Sequence, residues 1–245
     1  MNDAASSPLI LGHRGASVAR PENTIAAFAH ALELGAVGIE CDVQRAADGE
    51  LVLIHDDTVQ RTTNGSGVVR DLSWPALAAL AAGGGQPIPR LADLLAWAHD
   101  AARRGAAPFL NLELKMPGVG PDTLAALAAA RYPGPVACSS FDYPTLVETR
   151  RRDATIELWY LNVIWSEALV AQAHAIGASC LALRHGAITA EVAAAAAAAG
   201  LGLVAWTTDA PADIRRLLRL RPPLRALISN VPEVAIRLVR GANAE

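Results

Sequence analysis

Glu40 and Asp42 stand two residues apart in the nearly continuous apolar run 37–43, which reads as a strand covered on both faces. Residues at i and i+2 of a strand point to the same side, so both carboxylates share one face. Ionised carboxylates crowded together in a core repel one another, at a cost of several kcal/mol unless a cation or hydrogen bonds compensate. Glu113 closes the apolar run 109–114 and completes a set of three oxygen ligands, and Lys115 follows it at the same spacing. The three cysteines, Cys41, Cys138 and Cys180, show no zinc spacing, so a hard divalent ion is expected: Mg²⁺ or Ca²⁺, with Mn²⁺ a further candidate. Cys41 points away from its two acidic neighbours and is assigned to the core. Lys115 is the only lysine among 21 lysines and arginines, which singles out its position. Arg14 and Lys115 are fixed cations suited to a phosphate, and His13 and His55 are natural partners for proton transfer. Metal, two cations and two histidines together describe cleavage of a phosphodiester. The remaining histidines, His30, His99 and His174 on helical runs and His185 in a loop, read as structural or surface residues.

The elements that must carry these side chains alternate along the whole chain. Strand-like runs occur at 9–11, 37–43, 109–114, 136–140, 156–161, 180–183, 201–206 and 227–229. Helix-like runs lie at 24–34, 91–103, 123–130, 143–151, 167–176, 189–199, 212–220 and 232–239. Eight β/α units in a chain of 245 residues have the rhythm of an α/β TIM (β/α)8 barrel, whose active site lies at the C-terminal strand ends. A doubly wound open sheet is the second choice, but no G-x-G-x-x-G follows the first strand. Read this way, residues 1–245 form a single barrel domain. After the second strand, Asp48-Gly49 signals a two-residue type I′ turn and a β-hairpin. An unbulged ladder with that loop sets Asp42 directly opposite His55. The glycine-rich stretch at about 56–88 then reads as a short insertion with one helix near 74–82.

Composition narrows the classes further. With 52% hydrophobic and 18% charged residues, the chain is neither disordered, collagen-like nor a coiled coil. A formal net charge of −3 gives no reason to expect a nucleic-acid partner. The longest uncharged stretch, 192–208, is broken at Gly200-Leu-Gly202, and a membrane-spanning helix needs about 20 apolar residues. No stable membrane association is expected. MNDAASSPLILGHRG has no basic segment ahead of an apolar one and does not read as a signal peptide, so a cytoplasmic location is expected. The alanine-rich helices do not define an oligomeric state.

The ordered motifs HRG, PENT, E-x-D, the hairpin ending in HD, and RTTNGSG are followed by PIPRLADLL, NLELK, SSF and Trp206-Thr207. This series, spanning essentially the whole chain, resembles the glycerophosphodiester phosphodiesterases, in particular the small cytosolic bacterial type. The resemblance implies a TIM barrel with a small insertion after strand two. It also implies metal-dependent hydrolysis of a small-molecule glycerophosphodiester to glycerol 3-phosphate and an alcohol. His13 and His55 become the general acid/base pair, Glu40, Asp42 and Glu113 the metal ligands, and Arg14 and Lys115 the phosphate holders. Glu22 of PENT supports the site by hydrogen bonding, and Asn23 is expected to cap the first helix. Phe141 and Trp206, at the ends of strands four and seven, are expected either in the core or lining the glycerol or headgroup pocket. The attacking group is water or the neighbouring glycerol hydroxyl, the latter giving a transient cyclic phosphate. The sequence departs from the family pattern twice. Trp206-Thr-Thr-Asp209 replaces the usual Trp-Thr-Val-Asn, and Ser229-Asn230 replaces the usual Thr-Asp. Both departures lie at late strand ends, where contact with the substrate is expected. Two other readings are a lysophospholipase D acting on lysophospholipids and a non-catalytic phosphodiester-binding barrel. The lysophospholipase would need an apolar patch at the barrel mouth, and no exposed aromatic stretch is evident in the sequence, with the insert helix the one candidate.

Overall fold

The computed structural model describes residues 7–105, 107–220 and 224–242. In chain order the elements are β1 (Leu9–His13), α1 (Ile25–Glu33), β2 (Gly38–Arg45), β3 (Leu51–Leu53), α2 (Trp74–Ala78), β4 (Ala81–Ala82), β5 (Gln86–Pro87), α3 (Leu91–Arg103), β6 (Phe109–Leu114), α4 (Val119–Ala130), β7 (Val136–Ser140), α5 (Tyr143–Arg152), β8 (Glu157–Asn162), α6 (Glu167–Ala175), β9 (Cys180–Arg184), α7 (Ala190–Ala198), β10 (Gly202–Trp206), α8 (Pro211–Leu220), β11 (Leu224–Ser229) and α9 (Pro232–Ala242). Strands β1, β11, β10, β9, β8, β7, β6 and β2 neighbour one another in that order, and β1 also pairs with β2. The parallel sheet is therefore closed, which makes it a TIM barrel and excludes the open doubly wound sheet.

Alternation along each strand sorts side chains into two cores. Outward residues such as Ile39, Leu110, Leu112 and Leu181 pack under the helices, and Cys41 joins them, as its place between the two carboxylates predicts. Inward residues such as Leu11, Trp159, Ala182 and Val204 fill the barrel. At the N-terminal end Phe109 stacks on Trp159 with centroids 5.4 Å apart. Arg225 covers the Phe109 ring and pairs with Glu157, closing that end. Gly38 is required beside it, because a Cβ there would come within 2.1 Å of the Phe109 carbonyl oxygen. Polar inward positions begin one layer higher, with Asn111 donating to Ser139 Oγ at 3.0 Å.

Strand β2 outruns the barrel. Its residues 38–40 pair with β1 and its residues 43–45 with β3. The hairpin differs from the sequence expectation by one residue. Gln44 pairs with Val52, and Ala46 N donates to Glu50 O at 2.8 Å, leaving the three-residue loop Ala47-Asp48-Gly49. A type I′ turn needs positive φ at both central residues, whereas here only Gly49 has it (+92°), as in a three-residue loop closed by a left-handed glycine. Ile54, not His55, therefore lies opposite Asp42, with Ile54 N donating to Asp42 O at 3.1 Å.

Between β3 and α3 a small satellite core forms around Val52, Val59, Val69, Leu77 and Ile88. Its helix ends sooner than the predicted 74–82. Ala81 leaves it to bond Asn64 through both N and O, and the chain continues into the β4–β5 pair.

Candidate active site

The C-terminal ends of β1, β2 and β6 bring the carboxylates and one histidine together. After His13 the chain turns sharply, with Arg14 at φ +55° and Gly15 at φ +86°. Gly15 is the residue this turn demands, since a Cβ would also meet the Ala27 backbone at 2.5 Å. The turn aims Arg14 N at Glu40 Oε2 (3.0 Å) and lays the guanidinium between Glu22 (2.9 Å) and Asp42 (3.2 Å). Asp42 is fully buried. Asn23 is not the helix cap. Thr24 caps α1 by accepting from Ala27 N, and Asn23, at φ +56°, donates to Asp42 Oδ2 (2.8 Å) and accepts from Asp42 N (3.2 Å). Both roles favour a short polar side chain just ahead of a helix, so the sequence does not separate them.

Glu40, Asp42 and Glu113 each offer an oxygen within 4.8 Å of the others. Lys115 Nζ reaches Glu113 Oε1 at 2.9 Å and Asp42 Oδ1 at 3.6 Å. Glu40 Oε1 and Asp42 Oδ1 are nonetheless buried without a hydrogen bond. Buried acceptors of this kind are costly, and an all-oxygen set of this charge fits a hard divalent cation.

His55 lies past the hairpin ladder and is placed otherwise. Gln44 Nε2 points at the carbonyls of Ile54, His55 and Asp56, at 3.0, 3.1 and 2.8 Å. The ring is turned by Asp56, whose Oδ1 meets His55 Nδ1 at 2.6 Å. Arg61, from the insertion, bonds both oxygens of Asp56 and both of Glu22. The chain of charges Arg14–Glu22–Arg61–Asp56 therefore joins the end of β1 to His55.

His13, Arg14, Glu40, Glu113 and His55 line a cavity of ≈ 150 Å³ together with Phe141, Leu161, Trp206 and Ile228. Phe141 meets Trp206 edge-to-face at 5.4 Å, and Trp206 Nε1 donates to Ala182 O at 3.0 Å. Neither aromatic is sealed in the core. The ten residues singled out in the sequence thus converge on one end of the barrel, eight of them on the cavity wall or its acidic floor.

A sequence model of the glycerophosphoryl diester phosphodiesterase family matches residues 13–234. A glycerophosphodiester phosphodiesterase of Caldanaerobacter subterraneus is 33% identical over 250 residues, covering 95% of this chain and 98% of the relative. The chain belongs to this family. It is a phosphodiester hydrolase. The family's solved structures agree in fold. A phosphodiesterase of Oleispira antarctica, in complex with the product sn-glycerol-3-phosphate, superposes with a TM-score of 0.86 at 26% identity, over 96% of this chain and 97% of the other. A glycerophosphoryl diester phosphodiesterase of Silicibacter pomeroyi matches equally, with a TM-score of 0.86 at 26% identity over 96% and 94%.

Electrostatics separate the site's members. Burial, then the Asp42 and Glu113 charges, push Glu40 well above the usual carboxylate range. Glu113 is raised by burial and by Asp42, against the pull of Lys115. Burial, helped by the Arg14 charge, lowers His13 to about 4, so its ring is neutral. Burial alone would raise Glu22, but bonds from Arg61 and the Arg14 charge hold it at about 2.

The two departures from the family pattern meet in space. Asn230 Nδ2 donates to Asp209 Oδ2 at 2.6 Å, and Asn230 Oδ1 lies 2.7 Å from His13 Nδ1. They adjoin His13. Gln44, Asp56 and Arg61 are site neighbours that the sequence does not assign, whereas it assigns Asn23 to the helix cap and Asp209 and Asn230 to substrate contact. For Arg61 the signal was its place in RTTNGSG. For Asp56 it was adjacency to His55.

Proposed function

We propose that the chain hydrolyses glycerophosphodiesters to glycerol 3-phosphate and an alcohol, by acid/base catalysis between His13 and His55 in a metal-dependent site. The observation that carries this reading is that both histidines and Arg14 line one cavity with Glu40 and Glu113 of the Glu40–Asp42–Glu113 cluster. Glu40, Asp42 and Glu113 would hold one divalent cation, Mg²⁺ or Ca²⁺, which supplies charge neutralisation and polarisation of the phosphoryl group. Arg14 binds a phosphate oxygen, and Glu22 keeps its guanidinium in place. Lys115, whose Nζ lies against Glu113 and Asp42, would supply a second cation for the phosphate. One histidine takes the proton of the attacking hydroxyl as the other protonates the leaving alkoxide. Phe141 and Trp206 flank the alcohol moiety. The glycerol 3-phosphate complex of the Oleispira enzyme supports the product half of this scheme. The whole barrel acts as one catalytic unit. Three buried free thiols, Cys41, Cys138 and Cys180, support a reducing, cytoplasmic setting. No helix of the described residues is long and apolar enough to cross a membrane.

A second reading, hydrolysis of lysophospholipids, has one specific observation in its favour. Of the five large apolar side chains exposed among the described residues, Val18, Phe141, Val163 and Ile164 follow the C-terminal ends of β1, β7 and β8. This rim at the barrel mouth is only partly legible in the sequence: Phe141 is anticipated there, but Val18 and the adjacent Val163-Ile164 lie in loops with no periodicity to single them out. The insert helix, the one candidate in the sequence, spans only Trp74–Ala78.

The test is release of glycerol 3-phosphate from glycerophosphocholine and glycerophosphoethanolamine, against choline release from lysophosphatidylcholine. Faster turnover of the water-soluble diesters supports the first reading. Preference for the acylated substrate would replace it with the second.

A further inference from the structure

His13 and His55 line the same cavity, but their Nδ1 atoms meet different chemistry. His55 faces a carboxylate oxygen of Asp56 at 2.6 Å, and His13 faces an amide oxygen of Asn230 at 2.7 Å. An amide offers an acceptor at one end and a donor at the other, so its orientation selects the tautomer of a histidine beside it. Asp209 sets that orientation. Its Oδ2 takes Asn230 Nδ2 at 2.6 Å, and its Oδ1 takes Asn230 N at 2.8 Å and Ser229 Oγ at 3.0 Å. A carboxylate only accepts, so the NH₂ end of Asn230 must face Asp209 and the oxygen must face His13. Ser17 Oγ donates to that same oxygen at 2.7 Å and completes its pairing. An amide oxygen cannot donate to a ring nitrogen, so the hydrogen of this bond belongs to His13 Nδ1.

We propose that Asn230, oriented by Asp209, is a positioning residue that locks His13 in the Nδ1–H tautomer and leaves its Nε2 lone pair as the site's proton acceptor. The catalytic consequence rests on the phosphodiesterase reading, whereas the tautomer does not. In that reaction the proton of the attacking hydroxyl moves to His13 Nε2 as its oxygen forms the new P–O bond. The P–O bond to the alcohol breaks with its electron pair on oxygen, and that oxygen takes the proton His55 carries. Asp56 accepts from His55 Nδ1 throughout and orients Nε2 for the transfer.

Long-range ¹H–¹⁵N correlation spectra of the labelled full-length protein with Mg²⁺ present read the tautomer directly, with His13→Gln used to assign the signals. His13 is expected to show a protonated Nδ1 and an unprotonated Nε2. Asp209→Asn changes one oxygen to NH₂ and frees the amide to turn, so it should populate the Nε2–H form. Its kcat should fall by about 10-fold or more while KM stays within about twofold, since acid–base positioning and not binding is lost. Asn230→Leu removes the acceptor outright and should mix the tautomers likewise, with the backbone amide spectrum reporting that the fold persists. A wild-type His13 protonated at Nε2, or an unchanged tautomer in both variants, overturns the proposal. The spectra require no substrate, so this failure is distinguishable from failure of the functional reading.

Discussion

Glu22 and Arg61, 39 residues apart in the chain, are joined by two hydrogen bonds of 2.8 Å each. The same guanidinium holds Asp56, and the same carboxylate holds Arg14, so a residue of the insertion ties His55 to the turn after β1. The insertion therefore belongs to the site's framework.

Arg61→Leu should lower kcat by about 10- to 100-fold, the cost of removing outer partners that orient site histidines. KM should rise as well, because Arg14 loses the support of a fixed Glu22. A variant with wild-type kcat and KM would show that Asp56 and Glu22 hold their positions unaided.

The same pair sets a pH dependence of stability. Glu22 titrates at about 2 in the folded chain against 4.5 as its ordinary value, so the unfolded chain binds the extra proton between those values. Its contribution is complete above pH 4.5 and is lost as the pH falls toward 2. The gap in Tm between wild type and Arg61→Leu should thus be a few °C at about pH 7 and shrink at about pH 3. A gap that widens on acidification would contradict the assignment.

Much of this arrangement is legible in the sequence because barrel strands are simple in pattern. The i, i+2 spacing of Glu40/Asp42 and Glu113/Lys115 predicts a shared face for each pair; Glu40, Asp42 and Glu113 cluster, and Lys115, just past β6, reaches Glu113 and Asp42. Helix α4 begins at Val119 rather than 123, since Gly120 and Pro121 hide its first turn from periodicity. What escaped was set by contacts distant in sequence. The hairpin register depended on a backbone conformation at Asp48 that Asp-Gly does not dictate. The partnership of Asp209 with Asn230 joins two separate strand ends, and nothing local to either position announces it.

Crowding of the acidic floor has a cost without metal. Glu40, raised by burial and two neighbouring carboxylates, destabilises the fold above its ordinary value of 4.5, where the unfolded chain ionises freely. Glu40→Gln should therefore raise Tm in EDTA at neutral pH, with about 2–4 °C for each kcal/mol regained, and abolish activity. The gain should disappear below pH 4.5. A lower Tm in EDTA at neutral pH would show that Glu40 stabilises the metal-free barrel.

The exposed rim separates the two substrate readings. Ile164, 67% exposed, lies on the loop after β8. Ile164→Ser should leave glycerophosphocholine turnover within about twofold, while any activity on lysophosphatidylcholine should fall by about 10-fold, the worth of one lost apolar contact of this size. Loss of glycerophosphocholine turnover in this variant would move the rim into the site itself.

The central claim is that His13 and His55 act over a cation held by Glu40, Asp42 and Glu113. Its most direct test is glycerol 3-phosphate release from glycerophosphocholine by the EDTA-treated protein, then with Mg²⁺, Ca²⁺ or Mn²⁺ restored, beside His13→Ala and His55→Ala. The account predicts no turnover in EDTA, recovery with at least one of these ions, and a loss of about 100-fold or more in either variant at saturating metal. Full turnover in EDTA, or wild-type turnover in either histidine variant, would contradict it.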